Sequence, residues 1–65
     1  MVLIKLFFRD EFDMAEVEDI ADKFDADIDY GLNIAYYSGE PEKGQEFIRA
    51  VETIELPISC ILQNR

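Results

Sequence analysis

The chain has 65 residues, 49% of them apolar, with eight Phe and Tyr, one cysteine, no histidine and a formal net charge of −9. A chain this short makes one small domain that buries only about 60% of its unfolded surface, yet it is too apolar for a disordered segment. A single cysteine excludes an intramolecular disulfide, the lack of histidine leaves no structural zinc set, and the net charge argues against direct binding of nucleic acid or anionic membrane.

The opening run VLIKLFFR, residues 2–9, alternates with period two, as a strand does. Val2, Ile4, Leu6 and Phe8 face one way; Leu3, Lys5, Phe7 and Arg9 face the other. The run is too short to span a membrane, is broken by Lys5, and lacks the basic leader and small-residue cleavage site of a signal peptide. Starting at Met1 and ending in a strand-like run near Arg65, the chain is expected to be a complete small gene product, cytoplasmic in location.

FDMAEVEDIADKF follows. Asp13 with Glu16 has the spacing of a capping box, and Phe12 is placed to staple onto Val17. Val17, Ile20, Ala21 and Phe24 at i, i+3, i+4 and i+7 give one apolar face to a helix over about 14–25. From Asp27 the period returns to two, predicting a strand over roughly 28–37 with Gly31 as a bulge or bend. Ile28, Tyr30, Leu32, Ile34 and Tyr36 are expected on its core face, with Ala35 and Tyr37 on the other.

SGEPEKG reads as a turn into a second helix, with Pro41 in the first turn and Phe47, Ala50, Val51 and Ile54 as its apolar face. Pro57 ends that helix, and LPISCILQ predicts a last strand with Ile58, Cys60 and Leu62 on one face. Cys60 is expected there as a small buried hydrophobe. The fold class is therefore α/β (α+β): a two-layer sandwich of about three strands and two helices in the order β-α-β-α-β. The connections are long enough for parallel pairing. The outer sheet face would carry Leu3, Phe7, Ala35, Tyr37 and Ile61 among Lys5, Arg9 and Asn33, apolar enough for a contact surface or a dimer seam.

No catalytic motif appears, and no enzymatic activity or cofactor is expected. DADIDYG, from Asp25, matches a calcium loop at positions 1, 3 and 5, but Tyr30 stands where the loop needs glycine and Tyr36 where it needs the bidentate glutamate. No tight metal site is expected, although weak, diffuse cation binding stays open.

The charge is the most informative feature. Ten acids against one base, Lys23, fall within residues 10–29, so that segment alone carries −9; outside it five acids balance five bases. Glu18, Asp22 and Asp25 recur at i, i+4 and i+7, a spacing at which like charges destabilise a helix by roughly 0.2–0.5 kcal/mol per pair. Asp22 and Asp25 also lie toward the helix C-terminus, where the dipole disfavours anions. If residues 25–29 are extended, Asp25, Asp27 and Asp29 share one side at about 6.6 Å per two residues, continuing the helix stripe into a row like the charges of a nucleic-acid backbone. Plain solvation accounts well for the net charge and less well for its confinement to one segment, and on the residues alone it stays the simpler reading, since charge runs are common on surfaces.

A very short, acidic α/β chain carrying DKFDADIDYG and no enzymatic motif resembles the phage-encoded anti-CRISPR proteins, in particular the small acidic inhibitors of type I-C systems. The resemblance covers the full length and rests on size, charge layout and overall sequence. It implies an inhibitor acting inside the bacterial host cell, bound to the Cas8 subunit of the surveillance complex on the basic surface that recognises target DNA. From the charge argument, Glu18, Asp22, Asp25, Asp27 and Asp29 would substitute for phosphates, with Asp10, Glu11 and Asp13 extending the patch. Tyr37 and Phe7 are the expected apolar contacts, tyrosine being enriched at binding hot spots. Two other classes fit the same sequence. An antitoxin- or immunity-type protein that neutralises a basic nuclease would use the same acidic surface. A small dimeric assembly protein would use its outer sheet face, whereas as an inhibitor the chain is expected to be a monomer or weak dimer.

Overall fold

The structure, a computed structural model, describes residues 1–9 and 14–64. Its elements run in the order β1 (Val2–Phe7), α1 (Met14–Lys23), β2 (Asp27–Asp29), β3 (Ile34–Gly39), α2 (Pro41–Glu52) and β4 (Ser59–Asn64). The four strands form one sheet in the order β2-β3-β1-β4, antiparallel throughout. This is the α+β, two-layer arrangement, with the split β-α-β order of ferredoxin-like folds. It corrects the count of three strands: the expected strand over 28–37 is a hairpin, two strands joined by the four residues Tyr30–Asn33. The expected capping box at Asp13 and the staple at Phe12 fall outside the described residues.

The hairpin is cut by turn chemistry. Asp29 Oδ1 accepts hydrogen bonds from the backbone N–H of Gly31 at 3.0 Å and of Leu32 at 3.1 Å. Asn33 then takes the left-handed conformation, φ 56°, which Asn tolerates better than most residues. The consequence for the core is large, because paired residues share a face. Ile28 pairs with Ala35, and Asp29 with Ile34, so even and odd positions exchange faces across the turn.

Ala35 and Tyr37 therefore point toward the helices and are buried, while Tyr36 lies half-buried on the open face. Tyr30 and Leu32, expected in the core, are exposed at the turn. Ile34 is buried, but on the open face, paired with Phe7.

The core lies between the sheet and the two helices. Val2, Ile4, Leu6 and Phe8 meet Val17 and Ile20 of α1 and Phe47 and Val51 of α2. Fully burying a side chain such as Phe47 is worth about 1.5–3 kcal/mol, so these few residues carry most of the stability of so small a domain. Gly44 lets α2 approach closely: a Cβ there would lie 2.6 Å from Ile4 Cδ1 and 3.3 Å from the Tyr37 ring. Pro41 opens α2, as expected, where its missing N–H costs nothing.

α1 packs on β2, and α2 on β3 and β1. β4 lies beyond α2, and all six of its residues are exposed. Cys60, expected to be buried, is exposed for this reason: its register beside Leu6 puts it on the helix side of the sheet, but at the uncovered edge. Among the described residues, no helix is long and apolar enough to cross a membrane.

Candidate functional site

Glu18, Asp22 and Asp25 are exposed along α1 and its C-terminal cap. Asp25 is the capping residue itself. Its N–H reaches Asp22 O at 3.4 Å and the N–H of Ala26 reaches Ala21 O at 2.8 Å, the paired bonds of a Schellman cap, with Asp25 left-handed at φ 55°. Aspartate stands here where glycine is usual, so DADID is not one extended stretch. Asp25 belongs to the helix end, and only Asp27 and Asp29 belong to β2.

Those two differ in turn. Asp27 is exposed and paired with Tyr36, which places it on the open side of the β2 edge. Asp29 is half-buried and holds the turn with its Oδ1. The carboxylates therefore do not form one straight row. They wrap around the β2 edge, with Glu18, Asp22 and Asp25 on the helix side and Asp27 on the open side. Asp10, Glu11 and Asp13 lie outside the described residues.

Tyr30 joins this flank. It is 47% exposed at the hairpin tip. Hydrogen bonding to the Glu18 carboxylate, then desolvation and the charges of Glu18 and Asp22, raises its phenol above the ordinary value. With Leu32, 64% exposed on the same turn, Tyr30 gives the acidic flank an aromatic and apolar component that sequence reading had assigned to the core. The signal was present in DYGLN, where Asp, Gly and Asn are all turn formers.

Tyr37 is not a contact residue. It is 3% exposed, stacks on Phe47, and donates its hydroxyl hydrogen bond to Glu40 O at 3.1 Å. Tyr36 takes its place on the open face. There it lies in one cross-strand row with Asp27, Lys5 and Ile61, beside a second row of Asp29, Ile34, Phe7 and Ser59. Phe7 is half-buried on that face, the outer side of the sheet on which it was expected.

A groove of ≈ 260 Å³ lies where the end of α1 meets the start of α2, lined by Lys23, Asp25, Tyr37, Ser38 and Lys43 among others. It is small for a ligand site and mixed in charge. Although Cys60 is exposed by surface area, desolvation beside the sheet, then the Glu52 carboxylate, pushes its thiol up, which disfavours the nucleophilic thiolate. Among the described residues, no three potential metal ligands converge. The chemistry available at this flank is therefore that of exposed carboxylates with an aromatic neighbour: charge-assisted hydrogen bonding to lysine and arginine. Compared with protein-family models, curated proteins and solved structures, the chain matches none.

Proposed function

We propose that this protein is a non-enzymatic inhibitor whose acidic flank occupies the cationic groove of a nucleic-acid-binding protein. The observation that carries the reading is the placement of Glu18, Asp22, Asp25 and Asp27, all exposed, around the one sheet edge formed by β2. Nucleic-acid grooves are lined by Lys and Arg that neutralise phosphates, and carboxylates compete for the same donors while the opposite charges speed encounter. Charge alone would bind any basic protein. Tyr30 and Leu32, exposed at the hairpin tip beside these acids, supply the shape-dependent part of the contact.

Following the resemblance to small acidic anti-CRISPR proteins, the partner is the Cas8 subunit of a type I-C surveillance complex, met inside the bacterial host. The test is a mobility-shift assay of that complex on its target DNA with and without the protein, repeated over a range of salt. A block of DNA binding that weakens with added salt is the expected result. Unimpaired DNA binding at saturating protein overturns the assignment of this partner, and a pull-down that recovers a basic nuclease would move the same surface to an antitoxin role.

A further inference from the structure

The hairpin tip carries a glycine that the fold does not require. Gly31 is exposed, and its φ lies outside the left-handed region that favours glycine. A Cβ built there would meet, outside its chain neighbours and among the described residues, only Asp29 Oδ1, at 3.4 Å, an ordinary van der Waals contact. Gly44 differs, since its missing Cβ makes room for Ile4 and Tyr37. A glycine with no such reason costs stability, because the unfolded chain has more freedom to lose. What it offers at an exposed turn is bare backbone, open to close approach from outside.

Its surroundings point the same way. Tyr30 and Leu32, both large and exposed, flank it. The backbone between them is fixed at both ends. Asp29 Oδ1 accepts the N–H groups of Gly31 and Leu32, and at the far end Phe8 N–H donates to Asn33 O at 2.9 Å. The turn is therefore ordered before any partner arrives, so its burial loses little backbone entropy.

We propose that Tyr30, Gly31 and Leu32 form a wedge that enters a narrow apolar cleft of the partner, with Gly31 at the point of closest backbone approach. The inference rests on the inhibitor reading above and adds which residues select the partner. Charge sets the rim of that cleft. Asp27 is exposed on the strand that leads into the tip, and the charges of Glu18 and Asp22 act on the Tyr30 phenol. Lysine and arginine around the cleft complement these acids. A second copy of this chain does not, because it would set the same acids against one another.

Gly31→Ala separates this role from a structural one. Mobility-shift competition on the type I-C effector and its target DNA, run over a series of salt concentrations, is paired with urea denaturation of each variant. Gly31→Ala is expected to be at least as stable as wild type, yet to inhibit roughly tenfold more weakly, as at a buried contact position. Leu32→Ala is expected to keep the fold and lose inhibition to a similar extent. Neither changes the slope of inhibition against salt, because neither removes a charge, whereas Asp27→Asn lowers that slope. Wild-type inhibition by either folded alanine variant overturns the wedge and leaves the acidic flank standing. So does a Gly31→Ala protein that loses stability along with inhibition, since the glycine would then serve the fold. A wild type that leaves DNA bound overturns the inhibitor reading and the wedge with it.

Discussion

Tyr37 and Phe47 stack with ring centroids 5.7 Å apart and planes 24° from parallel, tying β3 to α2 at the centre of the core. Phe24, also 5.7 Å from Phe47 but edge-on at 62°, extends the contact to the end of α1. One buried aromatic of α2 thus joins the strand and the helix end on either side of the acidic residues.

Tyr37→Phe keeps the stack and deletes only the hydroxyl bond to Glu40 O. Urea denaturation is expected to show a loss of about 0.5–1.5 kcal/mol, the usual net value of one such bond. Tyr37→Ala is expected to cost about 3–5 kcal/mol, enough to unfold most of so small a domain. A folded Tyr37→Phe protein is expected to bind its partner as the wild type does, since this side chain is buried.

Gly44→Ala sets helix propensity against space. Alanine gains about 1 kcal/mol in a helix interior, whereas overpacking a core costs about 1–3 kcal/mol. The Cβ would meet Ile4 Cδ1 at 2.6 Å and the less yielding Tyr37 ring at 3.3 Å, so the expected net is a loss of about 1 kcal/mol. Ile4→Val removes that Cδ1. The double variant is therefore expected to be less destabilised than the sum of the singles, as a double-mutant cycle by denaturation would show.

Asp25 and Asp29 separate local structure from charge. Asp25→Gly relieves a left-handed non-glycine residue and an anion at a helix C-terminus, and is expected to raise stability by about 0.5–1 kcal/mol. Asp29→Ala removes the acceptor of two turn hydrogen bonds and is expected to cost about 1 kcal/mol. Asp29→Asn keeps that acceptor and is expected to stay near wild type. Thermal denaturation of the three variants side by side tests all of these expectations.

Tyr30 gives a pH signature. Its phenol is raised by the hydrogen bond to Glu18, so the neutral form is favoured in the folded state. The contribution is fully present below the ordinary tyrosine pKa and lost as pH rises through the higher folded value. Absorbance titration is expected to show the Tyr30 phenol ionising late, returned toward the ordinary range by Glu18→Gln. A titration unchanged by that substitution would remove Tyr30 from the acidic flank.

Periodicity carried the outer framework. Val2, Ile4 and Leu6 are the core face of β1, continued by Phe8 just past its end, and Val17, Ile20 and Ala21 are that of α1, because each pattern reports one element against one layer. It failed at residues 30–33, where Tyr30 and Leu32 continue a period-two pattern through a four-residue turn. The odd and even positions of β3 were exchanged as a result, and with them Tyr36 and Tyr37. Cys60 and Leu62 show a different limit. Their alternation correctly marks the helix side of β4, but whether a helix covers that edge depends on where α2 lies, which no local pattern encodes. Of the candidate site, the exposed acids of α1 were legible as a helical stripe. The left-handed turn at Asp25, which sends the later acids around the β2 edge, was hidden because aspartate occupies a position where glycine normally signals it.

The central claim is that exposed carboxylates around the β2 edge substitute for phosphates. The most direct measurement compares wild type with the isosteric variant Glu18→Gln/Asp22→Asn/Asp25→Asn/Asp27→Asn/Asp29→Asn in the mobility-shift assay on target DNA, with circular dichroism to establish the fold. Asparagine retains both the turn acceptor at 29 and the left-handed tolerance at 25. Wild type is expected to displace DNA from the effector, and the folded amide variant to leave it bound. Displacement by the folded amide variant at wild-type concentrations would contradict phosphate substitution and leave these acids with a solvating role alone.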